Sequence, residues 1–153
     1  MTAHDPNCIF CKIIAGHIPS RKVFEDDDVF SFHDINPWAP VHFLIIPKLH
    51  IPSMAHVSPE HERLLGKIML LAPKLALEQG CQPYPEGGFR IVTTTGAQGG
   101  QEVHHLHVHV MGGPRPWLKG EPAHHRITPQ GIFAVDLRDS FSAPAREGTR
   151  WTA

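Results

Sequence analysis

From His105 to Val110 the chain alternates His105, Leu106, His107, Val108, His109 and Val110. Successive side chains on a β-strand point to opposite faces, so this spacing puts three imidazoles on one face and three aliphatic groups on the other. A chain containing such a segment is constrained to build a sheet whose one face meets a core and whose other face carries histidine chemistry. Imidazole exchanges a proton near neutral pH and also serves as a nucleophile or metal ligand, so three in register point to an active site. A metal-sticky tract or an expression tag gives histidines too, but it would not alternate with aliphatic residues between glycine-marked turns.

The size of the chain limits what can surround that strand. With 153 residues, 41% of them hydrophobic, it suits one domain with a single core. Lys and Arg total 14 against 15 Asp and Glu, and the pI is near 6.9, so net charge gives no reason to expect nucleic acid or an acidic membrane as partner. No apolar run approaches the roughly 18 residues of a membrane span. The opening residues Met1 to Pro6 lack the basic and apolar regions of a signal peptide, so a cytoplasmic location is expected. Three cysteines, two of them spaced as Cys8-x-x-Cys11, fit a reducing compartment and a metal or redox role better than a disulfide scaffold. Cys81 is expected to be just buried or idle.

Cys8 to Ala15 reads as a short helix stopped by Gly16. A hairpin follows, with strands at 22–25 and 29–33 joined by Asp26, Asp27 and Asp28, an acidic run expected to be a solvated turn. His42 to Ile46 reads as a mostly buried strand ending at Pro47. The longest helix is expected over 59–78, with Ser58 as N-cap, Leu64, Leu65, Ile68, Leu71, Ala72 and Leu75 as its apolar stripe, and a kink at Pro73. Met69 and Leu70 widen that stripe enough to cover a second copy of the protein as well as a sheet, although burial within one subunit fits equally. A strand over 88–93, a glycine-rich loop over 95–101 and the histidine strand complete the order helix, three strands, helix, two strands. This is an α+β pattern: an antiparallel sheet of about five strands, with one long and one short helix set to one side. Residues 1–119 form the domain. Residues 120–153, rich in Gly, Pro and polar groups around an apolar island at Ile132 to Val135, read as a poorly ordered C-terminal extension.

The triad His105-x-His107-x-His109 is followed by Val110-Met111-Gly112-Gly113 and preceded by Gly99-Gly100-Gln101. Upstream lie Phe32-His33-Asp34-Ile35-Asn36-Pro37 and Phe43-Leu44-Ile45-Ile46-Pro47-Lys48 with His50. This set, spread in order over residues 8–118, resembles the histidine triad (HIT) family, and within it the Hint branch of purine nucleoside phosphoramidases. The resemblance implies a homodimer whose sheet is extended by dimerisation, acting on a P–N bond at the α-phosphorus of a purine nucleotide. It casts His107 as the nucleophile that forms a nucleotidyl-histidine, and His109 as donor to a phosphate oxygen, with no catalytic cofactor. Asp34 matches the family's ribose-binding carboxylate, and Phe32, His33 and Ile35 resemble residues around purine and sugar. Gly100 lets backbone N–H groups approach phosphate, and Val103 lies in the same binding stretch. Ile9, Phe10 and Ile13 would wall the base pocket or simply fill the core.

Two positions depart from the family pattern. Thr94 stands where the branch generally has asparagine, offering a donor of shorter reach. Glu102 stands where many relatives have Ser or Thr; it would repel phosphate if ionised, donate a proton if its pKa is raised, or face solvent without a role. Cys8 and Cys11, three apart, share a helix face, and two thiolates with two imidazoles make a usual tetrahedral zinc set. That His50 and His105 complete it is implied by zinc-binding bacterial members of the family, the alternative being an unmetallated thiol pair. Such a zinc would be structural. Three functional classes follow: a nucleotide hydrolase, either a phosphoramidase or a dinucleoside polyphosphate hydrolase; a non-catalytic, zinc-stabilised nucleotide-binding protein; or a purely metal-binding protein.

Overall fold

The computed structural model describes residues 4–113. The expected extension over 120–153 lies outside the described residues. Strands β1 (Lys22–Glu25), β2 (Val29–His33), β3 (Val41–Pro47), β4 (Phe89–Val92) and β5 (Val108–Gly112) form one sheet in the order β1-β2-β3-β5-β4. Every pairing is antiparallel. The short helix α1 (Ile9–Ile14) and the long helix α2 (Glu62–Glu78) complete the expected element order.

Alternation along β3 decides where the helices go. Phe43 and Ile45 point to one face, where they pack with Val29, Val108 and Val110 against Ile68, Ala72, Leu75 and Ala76 of α2. Leu44 and Ile46 point to the other, where they join Phe30 and Phe32 against Phe10, Cys11 and Ile13 of α1. The helices therefore cover opposite faces instead of sharing one side. A strand buried on both faces reads as a continuous apolar run, as 43–46 does, and such a run does not reveal how many layers cover it. Because Leu44 pairs with His109, His109 lies on the α1 face.

Three local expectations are revised. The triad strand starts at Val108, not His105: the Leu106 N–H donates to Ile51 O at 2.6 Å, so the backbone before Val108 is engaged outside the ladder. The glycine-rich stretch contains one helical turn, α3 (Gly96–Gly99), closed by Gly100 at φ 82°. That left-handed conformation is strained for a side-chain-bearing residue. The acidic hairpin turn is clasped to α2, with Lys67 Nζ 2.6 Å from Asp26 Oδ2 and 2.7 Å from Asp28 Oδ2.

Helix α2 itself begins at Glu62, after a 3-10 turn over Pro59–His61 in which the Ser58 N–H donates to His61 Nδ1 at 3.0 Å. It continues through Pro73. Cys81 is buried, as expected. Among the described residues no helix is long and apolar enough to cross a membrane.

Candidate active site and adjoining metal centre

Cys8 is the N-cap of α1 and its Sγ accepts the Cys11 N–H at 3.4 Å, so both sulfurs leave the helix start on one side. They converge with two imidazoles from distant segments. Cys8 Sγ is 3.4 Å from His105 Nδ1, Cys11 Sγ is 3.4 Å from His50 Nδ1 and 3.6 Å from His105 Nδ1, and the two Nδ1 atoms are 3.2 Å apart. All four residues are buried. A tetrahedron with metal–sulfur bonds near 2.3 Å and metal–nitrogen bonds near 2.0 Å has edges of about 3.3 to 3.8 Å, so the observed spacings suit a tetrahedral divalent cation. The tautomers agree: His105 Nε2 donates to Pro47 O at 2.8 Å, which turns a bare Nδ1 toward the other donors. Burial foremost pushes the Cys11 thiol up, the Asp5 N–H opposing and Cys8 adding to the rise, so an ionised Cys11 sulfur here calls for a cation. The second nitrogen of His50 faces Asp5 Oδ2 at 3.9 Å.

His107 adjoins this cluster. Its Nδ1 lies 2.7 Å from the main-chain oxygen of His105 and must donate to it, which leaves the lone pair on Nε2. Thr93 Oγ1 donates to the His107 carbonyl at 2.9 Å, and Phe10 packs edge-on against the ring at a centroid distance of 5.2 Å. Burial lowers the pKa of His107, opposed by the His105 carbonyl and by the charge of Asp34. The ring is thus neutral at neutral pH, as a nitrogen nucleophile must be.

His109 sits 5.0 Å from His107, ring centroid to ring centroid, and owes its tautomer to a residue that sequence reasoning missed. His42 Nδ1 accepts the Trp38 N–H at 3.0 Å, so its own hydrogen is on Nε2, 3.0 Å from His109 Nδ1. Accepting there, His109 carries its hydrogen on Nε2. Burial lowers His42, and burial with the charges of His107 and His42 brings His109 down to about 3. The signal for His42 was in the sequence: it stands two residues before Leu44 on β3, hence on the face of His109.

The remaining predicted residues surround this group unevenly. Asp34 lies 3.4 Å from His42 through Oδ2 and uses Oδ1 to accept the Asn36 N–H at 2.8 Å. Phe32 is buried edge-on against Phe10, so Phe10, like Ile13, is a core residue. His33 and Thr94 are half-buried, and Val103 is half-buried against the α1 cluster. Ile35 is 86% exposed and Ile9 is 46% exposed, so neither belongs to an apolar core. Gly100 is held in place by Gln101, whose Oε1 accepts the Gly96 N–H and whose Nε2 donates to Pro52 O and Val103 O. Exposed Glu102 is raised by partial desolvation and by the charge of Asp34, which puts the two carboxyls in electrostatic reach of each other. His104 is exposed, away from the triad.

The HIT domain sequence profile matches residues 15–115. The chain belongs to the HIT domain family. This HIT-domain chain is 53% identical over 108 residues to protein HitA of Neisseria gonorrhoeae, covering 71% of this chain and 97% of that protein. It is 48% identical over 105 residues to the purine nucleoside phosphoramidase of Escherichia coli K12, covering 69% of this chain and 86% of that one. Among solved structures it resembles a HIT family hydrolase from Legionella pneumophila Philadelphia 1, at TM-score 0.68 and 43% identity, over 75% of this chain and all (100%) of that one. A histidine triad protein from Clostridium difficile matches at TM-score 0.68 and 40% identity, over 78% and 99% of the two chains. The five-stranded sheet with its flanking helices is the fold of these relatives.

Proposed function

We propose that this HIT-family hydrolase cleaves the P–N bond at the α-phosphorus of a purine nucleoside 5′-phosphoramidate through a nucleotidyl-histidine intermediate. The observation that carries this reading is the tautomer of His107: with Nδ1–H held by the His105 carbonyl, Nε2 is bare and the ring is neutral. The 48% identity to a purine nucleoside phosphoramidase supports the choice of substrate.

In the first step His107 Nε2 attacks phosphorus in line as the P–N bond breaks. The ring becomes a phosphorylated imidazolium whose remaining N–H is the one already bonded to the His105 carbonyl, which stabilises the developing positive charge. His109, its hydrogen on Nε2, donates to a non-bridging phosphate oxygen. Glu102, whose carboxyl is raised by desolvation and by the charge of Asp34, is assigned the delivery of a proton to the leaving amine. Water then cleaves the P–N bond to His107, releasing the nucleoside monophosphate and restoring the ring. Asp34 receives the ribose hydroxyls, with Phe32, His33 and Ile35 near base and sugar, and Thr94, Gly100 and Val103 bordering the phosphate. Cys8, Cys11, His50 and His105 would hold a structural Zn2+, which would fasten α1 to the sheet and supply no group to the reacting atoms.

The test is incubation with adenosine 5′-phosphoramidate and measurement of AMP. The wild-type protein is expected to release it, and His107→Ala to bind the nucleotide but form AMP at least about 10³-fold more slowly. AMP release that survives in His107→Ala would remove this reading.

A further inference from the structure

His105 takes part in both clusters described above, and with different atoms. Its ring faces Cys8, Cys11 and His50 through Nδ1, while its main-chain oxygen is the acceptor that fixes the His107 tautomer. We propose that His105 is a positioning residue that couples occupancy of the metal centre to presentation of the attacking nitrogen of His107. The proposal rests on the reading of His107 as nucleophile and of the Cys/His cluster as a metal site.

The coupling runs through a single peptide plane. The His105 carbonyl and the Leu106 N–H belong to one peptide unit, which is rigid, so tilting either group tilts the other. The Leu106 N–H donates to Ile51 O, the residue directly after His50. Both ends of the plane therefore lead to metal ligands, one through the His105 ring and one through the His50–Ile51 backbone. This segment precedes β5, so no ladder hydrogen bond holds the plane in its place. Phe10, between Cys8 and Cys11 on the chain, adds a second link, with its ring edge-on to both His105 and His107 at centroid distances of 5.9 Å and 5.2 Å.

With a cation present, four converging lone pairs are satisfied and the plane is clamped. Without it, only thiol and ring protons bridge the same atoms, which lie 3.2 to 3.6 Å apart, and the two imidazoles are free to turn apart. The His105 carbonyl then leaves the His107 Nδ1–H. A histidine without such an acceptor favours the opposite tautomer, which places hydrogen on Nε2 and blocks attack. The metal thus acts on catalysis without touching the substrate.

The experiment uses the full chain labelled with 15N-histidine, loaded with Zn2+ or stripped by chelation. Long-range 1H–15N correlation reads the ring tautomers, the His107 signals being those absent from His107→Ala. In the loaded protein His107 is expected as the Nδ1–H tautomer alone; in the stripped protein Nε2–H appears, kcat toward adenosine 5′-phosphoramidate falls about tenfold or more, and KM changes less than about threefold. Returning Zn2+ restores both. Cys8→Ser guards against simple unfolding, because a serine hydroxyl caps the helix as the thiol does while binding the metal more weakly. Shown folded by circular dichroism, it is expected to reach the wild-type tautomer only at higher Zn2+ concentration.

A folded, metal-free protein with unchanged His107 tautomer and kcat overturns the coupling, and so does a chain that binds no Zn2+ at one per protomer. If the loaded wild-type protein releases no AMP, the functional reading fails, and the tautomer measurement still decides the coupling.

Discussion

A histidine attacks phosphorus only through a bare ring nitrogen, and in this site each ring owes its tautomer to an acceptor or donor elsewhere in the chain. His107 depends on the His105 carbonyl, and His109 on His42. Removing the His42 donor should therefore slow turnover rather than abolish it: one hydrogen bond of roughly 1 to 1.5 kcal/mol corresponds to about tenfold in rate. Steady-state kinetics with His42→Ala should show that loss in kcat, and His42→Gln should recover part of it because the amide also donates. Acid acts on the same group. A buried neutral histidine whose folded pKa is depressed contributes stability that is complete above its unfolded value and lost as pH falls toward the folded one. For His109 that window runs from 6.5 down to about 3, so urea midpoints should decline progressively across it, and His109→Asn should flatten the decline. Part of the candidate site was legible in the chain: alternation singled out His107 and His109, although only His109 lies in β5, and the Cys8-x-x-Cys11 spacing singled out two sulfurs that the fold brings together. The convergence of His50 and His105 was not, because contacts spanning 39 and 94 residues depend on the sheet that brings them together.

Among the helices, α2 covers one sheet face with Ile68, Ala72, Leu75 and Ala76, and its stripe was readable because apolar residues recur at helical spacing. They are buried against Val29, Phe43, Ile45, Val108 and Val110. Truncating Leu75, 1% exposed, should leave a cavity and cost about 2 to 5 kcal/mol, measured by chemical denaturation, with the α1 face and its metal ligands unaffected. Lys67→Met should cost far less, under about 1 kcal/mol and less still in high salt, because its ion pairs with Asp26 and Asp28 are only half-buried. Where element reading from the sequence missed, the backbone's partners lay outside the periodic pattern. The triad strand starts late because Leu106 bonds Ile51, and α3 is closed by Gly100 and tied at its start by the Gln101 side chain, which no hydrophobic period records.

At the scale of the whole molecule, one surface lacks an explanation within a single chain. Met69, Leu70 and Leu77 of α2 are 51%, 79% and 51% exposed, and Gly66, Leu70, Pro73 and Leu77 recur at helical spacing on the side turned from the sheet. A second copy of the chain is the partner we infer, in keeping with the homodimer that the family resemblance implies. The helix alone is too small to form it. Seventeen residues at 1.5 Å each and a width near 10 Å present about 250 Å², well short of the roughly 800 Å² per partner of a stable interface. Such an interface would have to continue onto neighbouring surface, and β4 offers it: this edge strand pairs only with β5 among the described residues and exposes Phe89 by 36%. Pairing of two β4 edges would extend the sheet across the dimer and cover a backbone edge otherwise open to aggregation. Light scattering at micromolar concentration should give twice the chain mass for the wild-type protein. Leu70→Glu with Leu77→Glu should give the monomer, because two carboxylates per subunit would be buried against their own symmetry mates. If the dimer contributes to stability, the wild-type melting temperature should rise with protein concentration and that of the double variant should not. A wild-type monomer, or a double variant that stays dimeric, would place the contact elsewhere and leave the α2 stripe as ordinary exposed apolar surface.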